Sequence, residues 1–143
     1  MIEPSVLQKH SFFGGLLRED VEAVLSLMET ADYEAGDNIL VEGTPNDRIS
    51  FILEGKVAVV KEGLTLAELG VGSTFGEMEV LDIMPSAASI KAMERTRVIS
   101  ITNRALHTIY KSDQKVYAML IMNLARDLSR RLRNMNEKAA GLR

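Results

Sequence analysis

Phe75 to Ala92 read FGEMEVLDIMPSAASIKA. Gly76 and Glu77 open a short helical turn, and Pro85 closes it just before a strand of small residues. Such a turn aims backbone N–H groups at one point, which holds an anion without many side chains. On either side the chain has a different rhythm. From Ala31 to Ile101, short extended runs are punctuated by Gly, Pro, Asn and Asp.

Asn38 to Val41, Ile49 to Leu53 and Lys56 to Val60 are rich in β-branched and apolar residues. Leu64 to Leu69, Ala87 to Met93 and Thr96 to Ile101 add three more such runs. Gly55 and Gly63 fall at tight connections, where a positive φ costs glycine little. About eight short strands at this spacing predict a jelly-roll-like β-roll or small barrel, a mainly β fold with added α. The turn from Gly76 to Leu81 interrupts it.

Before the roll, to about Thr30, Val21, Val24, Leu25 and Met28 recur at helical spacing, and Glu19 and Asp20 are acids near the helix start. Phe12 and Phe13 precede this helix as apolar anchors on a Gly14–Gly15 turn. After the roll, Thr102 or Asn103 caps a helix to about Lys111, and Ser112 or Asp113 caps another to about Lys138. At 1.5 Å per residue the latter spans roughly 39 Å and should project beyond the body.

Its apolar stripe narrows after Asn123 to Leu124, Leu128, Leu132 and Met135. With Leu120, these predict a homodimer helix; the alternative is a helix folded back on its own roll. The arginines from Arg126 to Arg133 read as a solvated face.

The stretch from Phe75 to Ala92 resembles the phosphate-binding cassette of the cyclic nucleotide-binding domains, found in bacterial catabolite activators, kinase regulatory subunits and nucleotide-gated channels. Gly36–Asp37, Glu42–Gly43, Ile52 to Gly55 and Leu69 to Glu77 extend the likeness, which covers nearly the whole chain, 1–143, as a single domain. The family's cassettes run FGE-L-A-L, a spacer, then P-R-A-A-T-V-K-A. Here Ser86 stands at the arginine and Glu79 at the usual small residue.

By that resemblance, Gly76 lets the backbone approach the sugar-phosphate and Glu77 accepts a hydrogen bond from the ribose 2′-hydroxyl. Met78 and Glu79 supply turn N–H groups. Ser86, Ala87, Ala88 and Ser89 match R-A-A-T, with an Ala87 N–H near the phosphate and a hydroxyl from Ser86. The implied ligand is cyclic AMP or cyclic GMP, with no cofactor required.

A bidentate arginine–phosphate pair contributes roughly 1.5–3 kcal/mol, so its loss weakens binding about 10- to 150-fold. If Glu79 points inward, like charges at ~5 Å and an effective dielectric of ~20 cost about 3 kcal/mol more. Lys91 and Arg48 are replacement cations by location.

The 143 residues carry 17 basic and 20 acidic side chains, a net charge of −3 that gives nucleic acid no electrostatic reason to bind. There are no cysteines, and His10 and His107 sit in different helical zones, which excludes thiolate chemistry and a histidine metal cluster. No triad, lysine-bearing phosphate loop or paired carboxylates at a cleft can be read, so no enzyme is expected.

No segment approaches the roughly 20 apolar residues of a membrane span, and no signal-like run opens the chain; cytoplasmic residence is the expectation. Nothing here would form a recognition helix, so no direct DNA-binding domain is expected. Two functions follow: a stand-alone regulatory, ligand-sensing domain signalling through its long helix, or a degenerate domain that binds no cyclic nucleotide and acts as a dimeric interaction module.

Overall fold

The computed structural model describes residues 2–141, so the expected domain limits at Met1 and Arg143 lie outside the described residues. A short helix α1 (Pro4–Leu7) and a 3₁₀ turn (Ser11–Phe13) precede α2 (Arg18–Leu25). Eight strands follow: β1 (Glu29–Tyr33), β2 (Asn38–Leu40), β3 (Arg48–Glu54), β4 (Val57–Lys61), β5 (Leu64–Leu69), β6 (Thr74–Phe75), β7 (Ser89–Ala92) and β8 (Thr96–Thr102). Between β6 and β7 lies α3 (Glu77–Asp82), and α4 (Asn103–Ser112) and α5 (Gln114–Ala139) end the described chain.

The strands form two antiparallel sheets, ordered β1-β8-β3-β6 and β2-β7-β4-β5. Alternation along β3 and β8 explains why both are buried throughout their middles. Ile52 and Val98 face the roll interior with Val57, Phe75 and Ile90. Ile49, Phe51, Ile99 and Ile101 face the other way, into a second core with the helices.

Phe12 and Phe13 are fully buried in that second core, with rings 5.3 Å (Phe13) and 6.3 Å (Phe12) from Phe51. Asn123 of α5 donates to the carbonyls of Phe12 and Gly14, both at 3.0 Å, fixing the aromatic turn on the long helix.

Sequence periodicity carried the first helix to about Thr30; it ends at Leu25, and Glu29 begins β1. Glu29 pairs with Ser100 and Tyr33 with Thr96, so a partner about seventy residues away decides that segment. Within α2, Asp20 reaches back to accept the Leu17 N–H at 3.0 Å. Thr102 caps α4 through the Ala105 N–H and Asp113 caps α5 through the Val116 N–H, each at 3.1 Å.

The dimer stripe needs correction in its first half. Leu120 and Leu124, assigned to a partner, are 0 % and 1 % exposed inside this chain's own core, because α5 packs back on α4 and the aromatic turn. Leu128 is half-buried, and only Leu132 and Met135 of the five are exposed. The helix therefore folds back over its first three turns and presents apolar side chains over its last two.

Candidate ligand site

Gly76 is the pivot of the cassette. Its φ of 84° is left-handed, and a Cβ there would lie 2.6 Å from the Arg48 carbonyl oxygen and 2.7 Å from Asn46 Nδ2. Only glycine allows β6 to turn into α3 against the start of β3. Asn46 staples the bend, donating to the Arg48 carbonyl at 2.9 Å and the Gly76 carbonyl at 3.1 Å. The cassette's far limb is tied down by backbone: the Ser86 N–H donates to Thr44 O, and the Gly43 N–H to Ser86 O, both at 2.8 Å.

Between α3 and the second sheet lies a cavity of about 110 Å³. Leu40, Val59, Leu69, Phe75 and Ile90 give it apolar walls. Gly76, Glu77, Met78, Glu79, Ala87 and Ala88 line its cassette side, so six of the eight residues singled out in the sequence meet here. Ser86 and Ser89 are not among the lining residues. The Ser86 hydroxyl is buried without a partner, and Ser89 Oγ accepts the Glu42 N–H at 2.9 Å.

Arg131 of α5 completes the lining. Its Nη1 donates to Glu77 Oε1 at 2.8 Å and its Nη2 to the Thr74 carbonyl at 2.6 Å. The arginine cluster is thus not wholly a solvated face, since one member turns into the fold. Arg131 lies seven residues after Leu124 and three after Leu128 on the same helical face, and that spacing was the available signal.

The replacement cations weighed by location do not serve. Arg48 pairs with Glu29 and Asp47 at 3.3 and 3.2 Å, and Lys91 is exposed on β7. Asn46 left no signal in the sequence, because its role depends on a carbonyl thirty residues away.

Glu77 is 3 % exposed, and its second oxygen, Oε2, has no partner. Burial pushes its carboxyl above the usual carboxylate range, against the pull of Arg131. Glu79 is also buried, 8 % exposed, and lines the cavity. Burial raises its pKa as well, partly opposed by Asn46. Two carboxylates therefore share the cavity with one guanidinium.

A larger open groove beside Gly14, Met119 and Met122 contains Asn123, whose amide is already committed to backbone carbonyls. No cluster of three His, Cys, Asp or Glu residues among the described residues could hold a metal ion, and no described helix is long and apolar enough to cross a membrane.

A β-roll broken by a short cassette helix and followed by C-terminal helices is the architecture of the cyclic nucleotide-binding domains. The family model described as "Cyclic nucleotide-binding domain" matches residues 30–113, and the chain belongs to that family. It is similar to the CRP-like cAMP-activated global transcriptional regulator of Mycobacterium tuberculosis, 27 % identical over 96 % of this chain and 62 % of that protein. The Cyclic AMP receptor protein of Thermus thermophilus is 32 % identical over 85 % of this chain and 56 % of its own length.

Among solved structures, a cyclic nucleotide-binding domain from Methylobacillus flagellatus superposes with a TM-score of 0.89 at 27 % identity, covering 99 % of this chain and 82 % of that one. The Thermus thermophilus catabolite activator protein gives 0.78 at 30 % identity, over 92 % and 62 %. The chain spans less than two thirds of the two regulators' lengths.

Proposed function

We propose that this chain is a non-enzymatic regulatory domain that takes a ribose-bearing ligand, a cyclic nucleotide or its parent nucleoside, into the cassette cavity and reports its presence through α5. The observation that carries this reading is the contact of Arg131 with Glu77 and the Thr74 carbonyl. It makes the C-terminal helix one wall of the cavity, so an occupant that engages Glu77 must compete with or reposition that helix. Cyclic AMP and cyclic GMP are the first ligands to consider, since the relatives' names point to cyclic AMP.

The cavity's polar side chains are two carboxylates and one arginine. They bind and orient, but provide no nucleophile with an oriented base. The exposed tail of α5, with Leu132 and Met135, is the surface through which a second copy would pair.

The test is titration with cyclic AMP, cyclic GMP, adenosine and guanosine, while amide exchange is followed along residues 125–139. Binding of any member with altered exchange in that segment supports the sensor. If none binds at millimolar concentration, the sensor fails and the interaction module takes its place. Binding that leaves α5 unchanged would overturn the signalling route.

A further inference from the structure

We propose that the cavity selects an uncharged ribonucleoside over a cyclic phosphodiester, with Glu77 and Glu79 each accepting a hydroxyl of the ligand. The inference rests on the reading of this cavity as the ligand site and concerns what the site admits.

The cassette side of the cavity carries a carboxylate where the family has a small residue. Glu79 is 8 % exposed and lines the cavity. Against the effect of burial, the Asn46 side chain and the Ala87 N–H, the donor that resemblance to the family assigns to the phosphate, both favour its charged form. Family cassettes carry a small residue there and leave that donor free.

The cavity also lacks a cation to share with a ligand. Ser86 replaces the cassette arginine, and Arg131 is committed to Glu77 and Thr74. Lys61 lies outside the lining residues, bonded to Glu42 at 3.3 Å and the Ala87 carbonyl at 2.9 Å. With both glutamates ionised, a phosphodiester would add a like charge beside Glu79. At ~5 Å and an effective dielectric of ~20, that weakens binding on the order of 100-fold.

The unmet need in the cavity is for donors. Glu77 Oε2 is buried without a partner, and an ionised carboxylate can only accept. A cyclic 3′,5′-phosphodiester has two of its ribose hydroxyls esterified and brings only the 2′-hydroxyl. The parent nucleoside brings three and no charge, so it can serve Glu77 and Glu79 together. Leu40, Val59, Leu69 and Ile90 give the cavity apolar walls, and at about 110 Å³ it encloses only part of a nucleoside.

Calorimetric titration of the full chain at about pH 7.5 compares adenosine and guanosine with their cyclic 3′,5′-monophosphates and with 5′-deoxyadenosine. The nucleosides should bind at least about 10-fold tighter than the matching cyclic compounds, and loss of the 5′-hydroxyl should weaken binding about 10-fold. Glu79→Ala combined with Ser86→Arg should reverse the order; Glu79→Gln, the milder change, should narrow it if the double variant does not fold.

Cyclic compounds binding tighter than nucleosides to the unaltered protein would overturn the selectivity and leave the sensor standing. An order unchanged in Glu79→Gln would remove Glu79 from the explanation and refute the proposal as stated. Failure of every compound to bind would end both readings.

Discussion

Arg131 Nη1 lies 2.8 Å from Glu77 Oε1, joining the fifth turn of α5 to a carboxylate 54 residues earlier. A guanidinium thus reaches the cavity from α5, but it is committed to Glu77 and the Thr74 carbonyl and does not stand in for the one the cassette lacks at Ser86. On the proposed reading, a donor that took Glu77 from Arg131 would loosen the helix. By linkage, anything that draws the helix away changes affinity for that donor.

The pair should be measurable in stability. Arg131→Ala leaves the Glu77 carboxylate buried without its cation. Breaking a fully buried pair costs about 3–5 kcal/mol; Arg131 retains 32 % side-chain exposure, so about 1–3 kcal/mol is expected in urea unfolding. A double-mutant cycle with Glu77→Gln should give a coupling of about 1 kcal/mol or more. A coupling near zero would mean that the contact does not hold α5 in place.

Gly76 governs whether the cassette forms at all. Gly76→Ala forces a left-handed alanine whose Cβ meets the Arg48 carbonyl oxygen at 2.6 Å, and backbone cannot yield as a flexible side chain would. Strain and displacement of Asn46 together should cost on the order of 2 kcal/mol or more. Asn46→Ala, which removes only the staple, should cost about 1–2 kcal/mol. If Gly76→Ala unfolds at the same urea concentration as the unaltered protein, the close approach at the bend is not real.

What the sequence made legible was local. β5 spans the predicted Leu64 to Leu69, and β3 and β8 extend their predicted runs by a residue or two, because glycine punctuation marks where each ends. The cassette was readable for the same reason: its glycine, acids and proline lie within one short stretch. Long-range effects were not readable. β1 owes its strand character to β8, the burial of Glu79 depends on the fold around the cavity, and Arg131 looked like one more flank of a charged helix. Leu120 and Leu124 fit a coiled-coil stripe as well as a core, and only the packing of Phe12 and Phe13 separates the two.

Burial raises the carboxyl groups of both Glu77 and Glu79 above the usual 4.5. The folded chain then holds these protons more tightly than the unfolded chain. Stability should fall as pH rises from about 4.5 through each raised pKa, and level off once both are ionised. Asp32 and Glu42 are held low, by Arg97 and by the Glu62 N–H respectively; their contributions disappear below the usual carboxylate range, in a separate window. Unfolding free energies followed upward from about pH 4.5 should decline in the unaltered protein and decline less in Glu79→Gln, where only Glu77 still titrates with a raised pKa. An identical slope in the variant would show that Glu79 is not ionising in a buried site.

The tail of α5 carries the remaining prediction. Leu132 and Met135 are 59 % and 62 % exposed, three residues apart on a helix whose earlier leucines are already buried within the chain. A two-fold pairing of two such tails would bury four apolar side chains, each contributing roughly 1.5–3 kcal/mol when fully covered. Leu132→Asp with Met135→Asp should weaken self-association on the order of 100-fold or more in sedimentation equilibrium. Because neither side chain belongs to the core, the unfolding free energy at low protein concentration should stay within about 0.5 kcal/mol of the original. Leu124→Asp should instead unfold the domain, since Leu124 is 1 % exposed against Phe12, Phe13 and their neighbours. An unaltered protein that sediments as a monomer at high concentration, or a tail variant that remains a dimer, would exclude this surface as the pairing face.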